Sequence, residues 1–125
     1  MEIRFTAPQA LDVWRRALSQ AVRDLDPDLS ARQMAVLLNV YLAPAPHTVR
    51  GLAATLGIAK PAVTRALDML EAAKLVRRAP DLRDKRSVLI ERTVKGAAYL
   101  GEFAGFLAEA ATAVAAATPE SPEIG

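Results

Sequence analysis

The chain has 125 residues, 52% of them apolar and 24% charged, which fits one domain with a modest core. It has no cysteine and a single histidine, His47, so disulfides, thiolate zinc sites, cysteine nucleophiles and His-rich metal sites are excluded. The net charge is only +2, but residues 47–95 carry eleven basic and five acidic side chains, while 96–125 carry four acidic and no basic ones.

The first predicted helix spans about residues 8–25. Leu11, Trp14, Leu18, Ala21, Val22 and Leu25 recur at three- and four-residue steps. Pro8 suits a first helical turn, and Asp26-Pro27-Asp28 ends the helix. Ser30 and Gln33 have capping-box spacing and open a second helix. Met34, Leu37, Leu38 and Tyr41 form its predicted inner side, and Pro44 and Pro46 stop it.

Thr48 is the expected N-cap of a short third helix, 49–56, and Gly57 its left-handed terminator. A fourth helix, about 60–73, follows after a very short turn. Two short helices joined by a glycine-containing turn are the helix-turn-helix pattern. The period then changes from 3.6 to 2. Residues 75–79 and 87–92 read as strands, joined by the charged connection APDLRDKR. Thr93 caps a last helix, about 94–117, with Leu100, Phe103, Leu107 and Val114 as an apolar seam. Gly101, Ala104, Gly105 and Ala108 form a small-residue ridge beside it. Residues 119–125 read as a disordered tail. The expectation is one domain over 1–118, mainly α with a small β-hairpin wing.

The fourth helix carries two faces. Val63, Leu67 and Leu70 point inward, while Pro61, Thr64, Arg65 and Asp68 share an exposed face at i, i+3, i+4 and i+7. An α-helix fits the DNA major groove. An arginine such as Arg65 grips guanine O6 and N7 with two bonds, and Thr64 suits a thymine methyl or a base-edge acceptor. Pro61 costs little at a helix start, where its missing N–H has no helical partner. Taken alone, this helix is equally an amphipathic helix with a solvated face. The hairpin adds the discriminating feature. Arg83, Lys85 and Arg86 crowd its tip beside Asp81 and Asp84, and a guanidinium on a wing suits a narrow A·T-rich minor groove. Asp84 is placed to brace the Arg86 side chain or the loop. Lys60, Arg77, Arg78, Arg83, Lys85, Thr48 and Arg50 are the candidate phosphate contacts. Arg77 and Arg78 leave their strand on opposite faces, so one of the two is expected to reach the DNA backbone.

Residues 30–96 resemble the MarR (multiple antibiotic resistance regulator) family of bacterial winged-helix transcription factors. The likeness rests on KPAVTRALDMLE, LVRR and the DLRDKRSV wing followed by TVKG. It implies a homodimer held by N- and C-terminal helices on a pseudo-palindromic operator, often as a repressor released by a small-molecule effector. By position it places Lys60, Pro61, Thr64 and Arg65 on the recognition helix. It matches Asp84 and Arg86 to a wing Asp-x-Arg whose arginine enters the minor groove. Three positions depart from the pattern. Ala59 replaces a serine N-cap, and Lys74 replaces a glycine, which demands positive φ of a side-chain-bearing residue. Arg92-Thr93-Val94 replaces Leu-Thr.

The terminal helices carry more apolar surface than one wing module needs. Leu11, Trp14, Leu18, Leu100, Phe103 and Leu107 are the expected dimerisation residues, and the Gly101/Gly105 ridge permits close helix approach. Trp14 is read as core or interface rather than ligand contact, and His47 as a turn residue. Glu102 and Glu109 interrupt 96–118, so a packed helix is expected there and not a membrane span. No apolar signal run opens the chain, which predicts a cytoplasmic protein. No nucleophile–histidine–acid arrangement and no phosphate-cradling glycine loop point to an enzyme, and no cofactor or metal is expected. Double-stranded DNA is the expected partner. The rival readings are a winged helix docking an acidic protein surface and a nonspecific architectural DNA binder. Salt dependence and the ratio of specific to nonspecific affinity separate them.

Overall fold

The computed structural model describes residues 4–117. The expected tail at 119–125 lies outside them. Five helices and one hairpin follow in the order α1 (Ala7–Asp24), α2 (Ala31–Leu42), α3 (Val49–Leu56), α4 (Lys60–Ala72), β1 (Val76–Pro80), β2 (Val88–Arg92) and α5 (Val94–Ala116). They fall into two compact units. One comprises Leu29–Tyr99 and the other the residues up to Asp28 and from Leu100 onward.

In the Leu29–Tyr99 unit, α2 and α3 both pack on α4, and the hairpin closes over their ends. Val63, Leu67 and Leu70 of α4 are fully buried. In α2 the buried line is Val36, Leu37 and Val40, with Met34, Leu38 and Tyr41 only half-buried beside it. The expected stripe was therefore off by part of a turn. The run MAVLLNVYL is apolar on nearly every side, so periodicity alone does not say which line faces the core.

The local signals explain the helix ends. Ser30 and Gln33 form the capping box that the sequence suggested. Thr6 and Gln9 form another, and α1 starts at Ala7, one residue ahead of the expected start. Gly57 closes α3 at φ +65°. Lys74 turns the chain from α4 into β1 at φ +63°, so the glycine-like conformation is adopted by a lysine. The strands pair antiparallel, with Val76 opposite Arg92 and Pro80 opposite Val88.

His47, expected as a turn residue, and Arg92, a departure from the family pattern, both have structural work in this unit. His47 is buried; its Nε2 lies 3.0 Å from the Ala43 carbonyl oxygen, and its own carbonyl accepts the Ile90 N–H at 2.9 Å. It is thus a pin between the loop before α3 and strand β2, more than a turn residue. Arg92 donates from Nε to the Val40 carbonyl at 2.9 Å and from its guanidinium end to Ala43 at 3.3 Å. That satisfies carbonyls at the end of α2 that lack helical partners. The departure from the family's leucine therefore has a physical role.

In the other unit, Ala17, Leu25, Phe103, Ala110 and Val114 are buried. Trp14 stands edge-on to Phe103, with ring centroids 5.9 Å apart. Arg15 and Arg16 both bond Asp12 and hold its carboxyl below the usual carboxylate value. Among the described residues no helix is long and apolar enough to cross a membrane.

Candidate nucleic-acid interface

Helix α4 starts without a side-chain cap at Ala59, and Pro61 occupies its first turn. The Ala62 and Val63 N–H groups bond the Ala59 carbonyl at 3.0 and 3.3 Å and Pro61 has none, which leaves the Lys60 N–H of this turn for an anion. Pro61, Thr64, Arg65 and Asp68 are all exposed, opposite the buried Val63, Leu67 and Leu70. The spacing therefore produces the expected second face. Lys60 and Arg65 make no ion pair among the described residues, so both cations face solvent unspent.

The wing tip is built by two successive aspartate turns. Asp81 Oδ1 accepts the Arg83 N–H at 2.9 Å, and Asp84 Oδ1 accepts the Arg86 N–H at 3.0 Å. An aspartate bonding its own backbone two residues on is a standard turn-former. Backbone bonds from Asp81 to Ser87 and from Asp84 to Asp81 close the loop. Asp84 thus braces the loop and leaves the Arg86 side chain free. The guanidiniums of Arg83 and Arg86 and the ammonium of Lys85 carry no partner among the described residues. Leu82, just before them, is almost wholly exposed.

The remaining phosphate candidates divide. Arg50 is exposed and unpaired among the described residues. Thr48 Oγ1 accepts the Gly51 N–H at 3.0 Å, which caps α3 and leaves its hydroxyl proton available to an anion. Arg77 pairs with Glu91 across the hairpin at 2.7 Å yet stays largely exposed. Arg78 is committed inward, to Asp68 and Glu71 of α4. That link is not readable from the sequence, because strand alternation fixes a side chain's face and not its partner.

A model of the MarR family matches residues 28–87. A mutant of E. coli MarR complexed with operator DNA is 31% identical, over 80% of this chain and 71% of that one, with a TM-score of 0.66. Wild-type apo MarR from E. coli is 30% identical, over 89% and 82% of the two chains, at 0.64. The chain belongs to the MarR family. A mutant of S. aureus MepR bound to an oligodeoxyribonucleotide shares the fold at a TM-score of 0.76, with 22% identity over 94% and 87% of the two chains. The winged helix-turn-helix expected from the residues is the MarR-family architecture, with α3 and α4 as the two helices and the hairpin as the wing. MarR-family proteins are winged-helix transcriptional regulators, typically non-enzymatic.

The six expected dimerisation residues are not equally available in this MarR-family chain. Leu11, Trp14 and Leu18 are exposed, and Val22 continues their line at 62%. Leu100 and Leu107 are half-buried. Phe103 is buried at 3%. Its ring stands edge-on to that of Trp14 in the same chain.

Proposed function

We propose that this protein is a sequence-specific DNA-binding regulator that sits as a homodimer on a pseudo-palindromic operator. The observation that carries the reading is the pairing of two exposed, unspent cationic features in one unit. These are the Pro61–Thr64–Arg65 face of α4 and the braced wing tip with Arg86. In this reading Thr64 and Arg65 contact base edges in the major groove. Arg86 enters the flanking minor groove, where a narrow A·T-rich segment concentrates negative potential. Lys60, Arg50, Thr48, Arg77, Arg83 and Lys85 supply phosphate contacts.

Two features support the homodimer. Leu11, Trp14, Leu18 and Val22 lie along one side of α1 at steps of three and four and remain exposed. The ridge at Gly101 and Gly105 is open, with no atom near where a Cβ would stand. A two-fold pair presents identical helices to half-sites about 10 bp apart. The relative crystallised on operator DNA supports the choice of partner. Repression, release by a small-molecule effector and a cytoplasmic location are the family's implications and belong to the same reading.

Selecting bound sequences from random duplex DNA tests it. The expected result is an inverted repeat with A·T-rich flanks. Recovery of no common sequence, together with shallow salt dependence, supports a protein-docking wing instead. Steep salt dependence with no common sequence supports an architectural binder.

A further inference from the structure

Arg78 leaves β1 and lies along one side of α4. Its Nη2 donates to Asp68 Oδ1 at 2.8 Å and to the Thr64 carbonyl oxygen at 3.3 Å, and its Nη1 donates to Glu71 Oε1 at 3.1 Å. The second Glu71 oxygen, Oε2, accepts the Arg78 backbone N–H at 2.9 Å. Thr64, Asp68 and Glu71 stand at i, i+4 and i+7, so one guanidinium spans two turns of the helix. The side chain is only 25% exposed. A cation shared between two carboxylates has little left to offer a phosphate. Asp68, by contrast, sits 61% exposed on the same face as Thr64 and Arg65. An unpaired carboxylate there would repel the DNA backbone.

We propose that Arg78 is a positioning residue of the DNA site and not a phosphate contact. It neutralises Asp68 on the recognition face and straps α4 to the hairpin, so that Thr64 and Arg65 meet the groove while the wing reaches its own. This rests on the DNA-binding reading and says how its parts are held in register. Arginine suits the role because a planar fork satisfies several acceptors at once, which a lysine ammonium on a flexible stem does not.

The experiment measures binding to the selected sequence across salt concentrations for the wild type, Arg78→Gln, Arg78→Lys, Asp68→Asn and the Arg78→Gln/Asp68→Asn double variant. Thermal unfolding of each free protein accompanies it. Arg78→Gln and Arg78→Lys are both expected to weaken binding at least tenfold. Adding Asp68→Asn to Arg78→Gln is expected to restore affinity to within threefold of Asp68→Asn alone. The unfolding shifts of Arg78→Gln and Asp68→Asn are expected to be non-additive. A phosphate contact gives the opposite pattern. Arg78→Lys then binds almost as the wild type, Arg78→Gln loses the same factor with or without Asp68, and the log–log salt slope shrinks by about 0.9. That pattern, or additive unfolding shifts, overturns the proposal. A wild-type protein that selects no sequence overturns the DNA reading itself, whereas phosphate-like or additive variants on a protein that does select DNA overturn only the role of Arg78. Arg78→Lys keeps the backbone bond to Glu71 and serves if Arg78→Gln does not fold.

Discussion

The Tyr41 hydroxyl occupies the space beside Gly96 where any other residue would carry its Cβ. The phenol oxygen lies 2.7 Å from the Leu75 carbonyl oxygen and 3.0 Å from that of Thr93, and it accepts the Thr93 N–H at 2.8 Å. One side chain of α2 therefore holds together the end of α4, the end of the wing and the start of α5. The Leu75 carbonyl crowds Gly96 as well, so the obstacle includes backbone that cannot swing aside.

Gly96→Ala is expected to destabilise the protein by about 3 kcal/mol or more, at the upper end of overpacking effects. Tyr41→Phe keeps the ring and strands the Thr93 N–H. It is expected to lose about 1–3 kcal/mol, the cost of an unsatisfied buried group. Urea titration of both variants checks the pair.

Lys74 holds φ +63° where a side chain gains nothing by it. The left-handed conformation costs a non-glycine residue roughly 1–2 kcal/mol, and part of that gain is offset by the entropy of a more flexible unfolded chain. Lys74→Gly is accordingly expected to stabilise by about 0.5–1 kcal/mol, seen as a melting temperature a few degrees higher. The Lys74 carbonyl still accepts from the Thr93 hydroxyl at 2.8 Å, so the substitution leaves that bond in place.

The exposed line on α1 makes a prediction about assembly. Leu11 and Val22 are 56% and 62% exposed in the single chain, so changing them removes little internal packing. A Leu11→Glu/Val22→Glu variant is expected to sediment as a folded monomer where the wild type sediments as a dimer, with unchanged helical circular dichroism. A wild-type monomer at the same concentration contradicts the homodimer.

Of the unpaired wing cations, Arg83 and Lys85 act through the DNA backbone. Arg83→Ala and Lys85→Ala are each expected to weaken all sequences alike and to reduce the salt slope by about one unit. Asp84→Ala leaves the charges on Arg83, Lys85 and Arg86 in place but removes the bond that fixes the Arg86 N–H. It is expected to reduce discrimination at the flanking A·T positions while the slope stays close to that of the wild type. Titrations at several salt concentrations separate the two behaviours.

The parts that were legible in the sequence are those where one residue type has one local use. Ser30 and Gln33, Thr48, Gly57 and the Val63/Leu67/Leu70 stripe each specify backbone or face without help from elsewhere. The positive φ at Lys74 was legible only through the resemblance, which puts a glycine there, since a lysine does not itself signal that conformation. What stayed hidden depends on partners distant along the chain. Arg78 chooses Asp68 and Glu71, Arg92 chooses carbonyls at the end of α2, and His47 chooses β2. No periodicity encodes those choices. The inner line of α2 was hidden for a different reason, since a helix apolar nearly all round has no marked face.

The most direct measurement is the set of sequences that the wild type, Arg65→Ala and Arg86→Ala each select from a random duplex pool. The wild type is expected to recover an inverted repeat. Arg65→Ala is expected to lose about 1–3 kcal/mol and its preference at one base pair in each half-site, and Arg86→Ala to lose the A·T-rich flanks alone. Identical selected sequences from all three proteins would contradict these expectations.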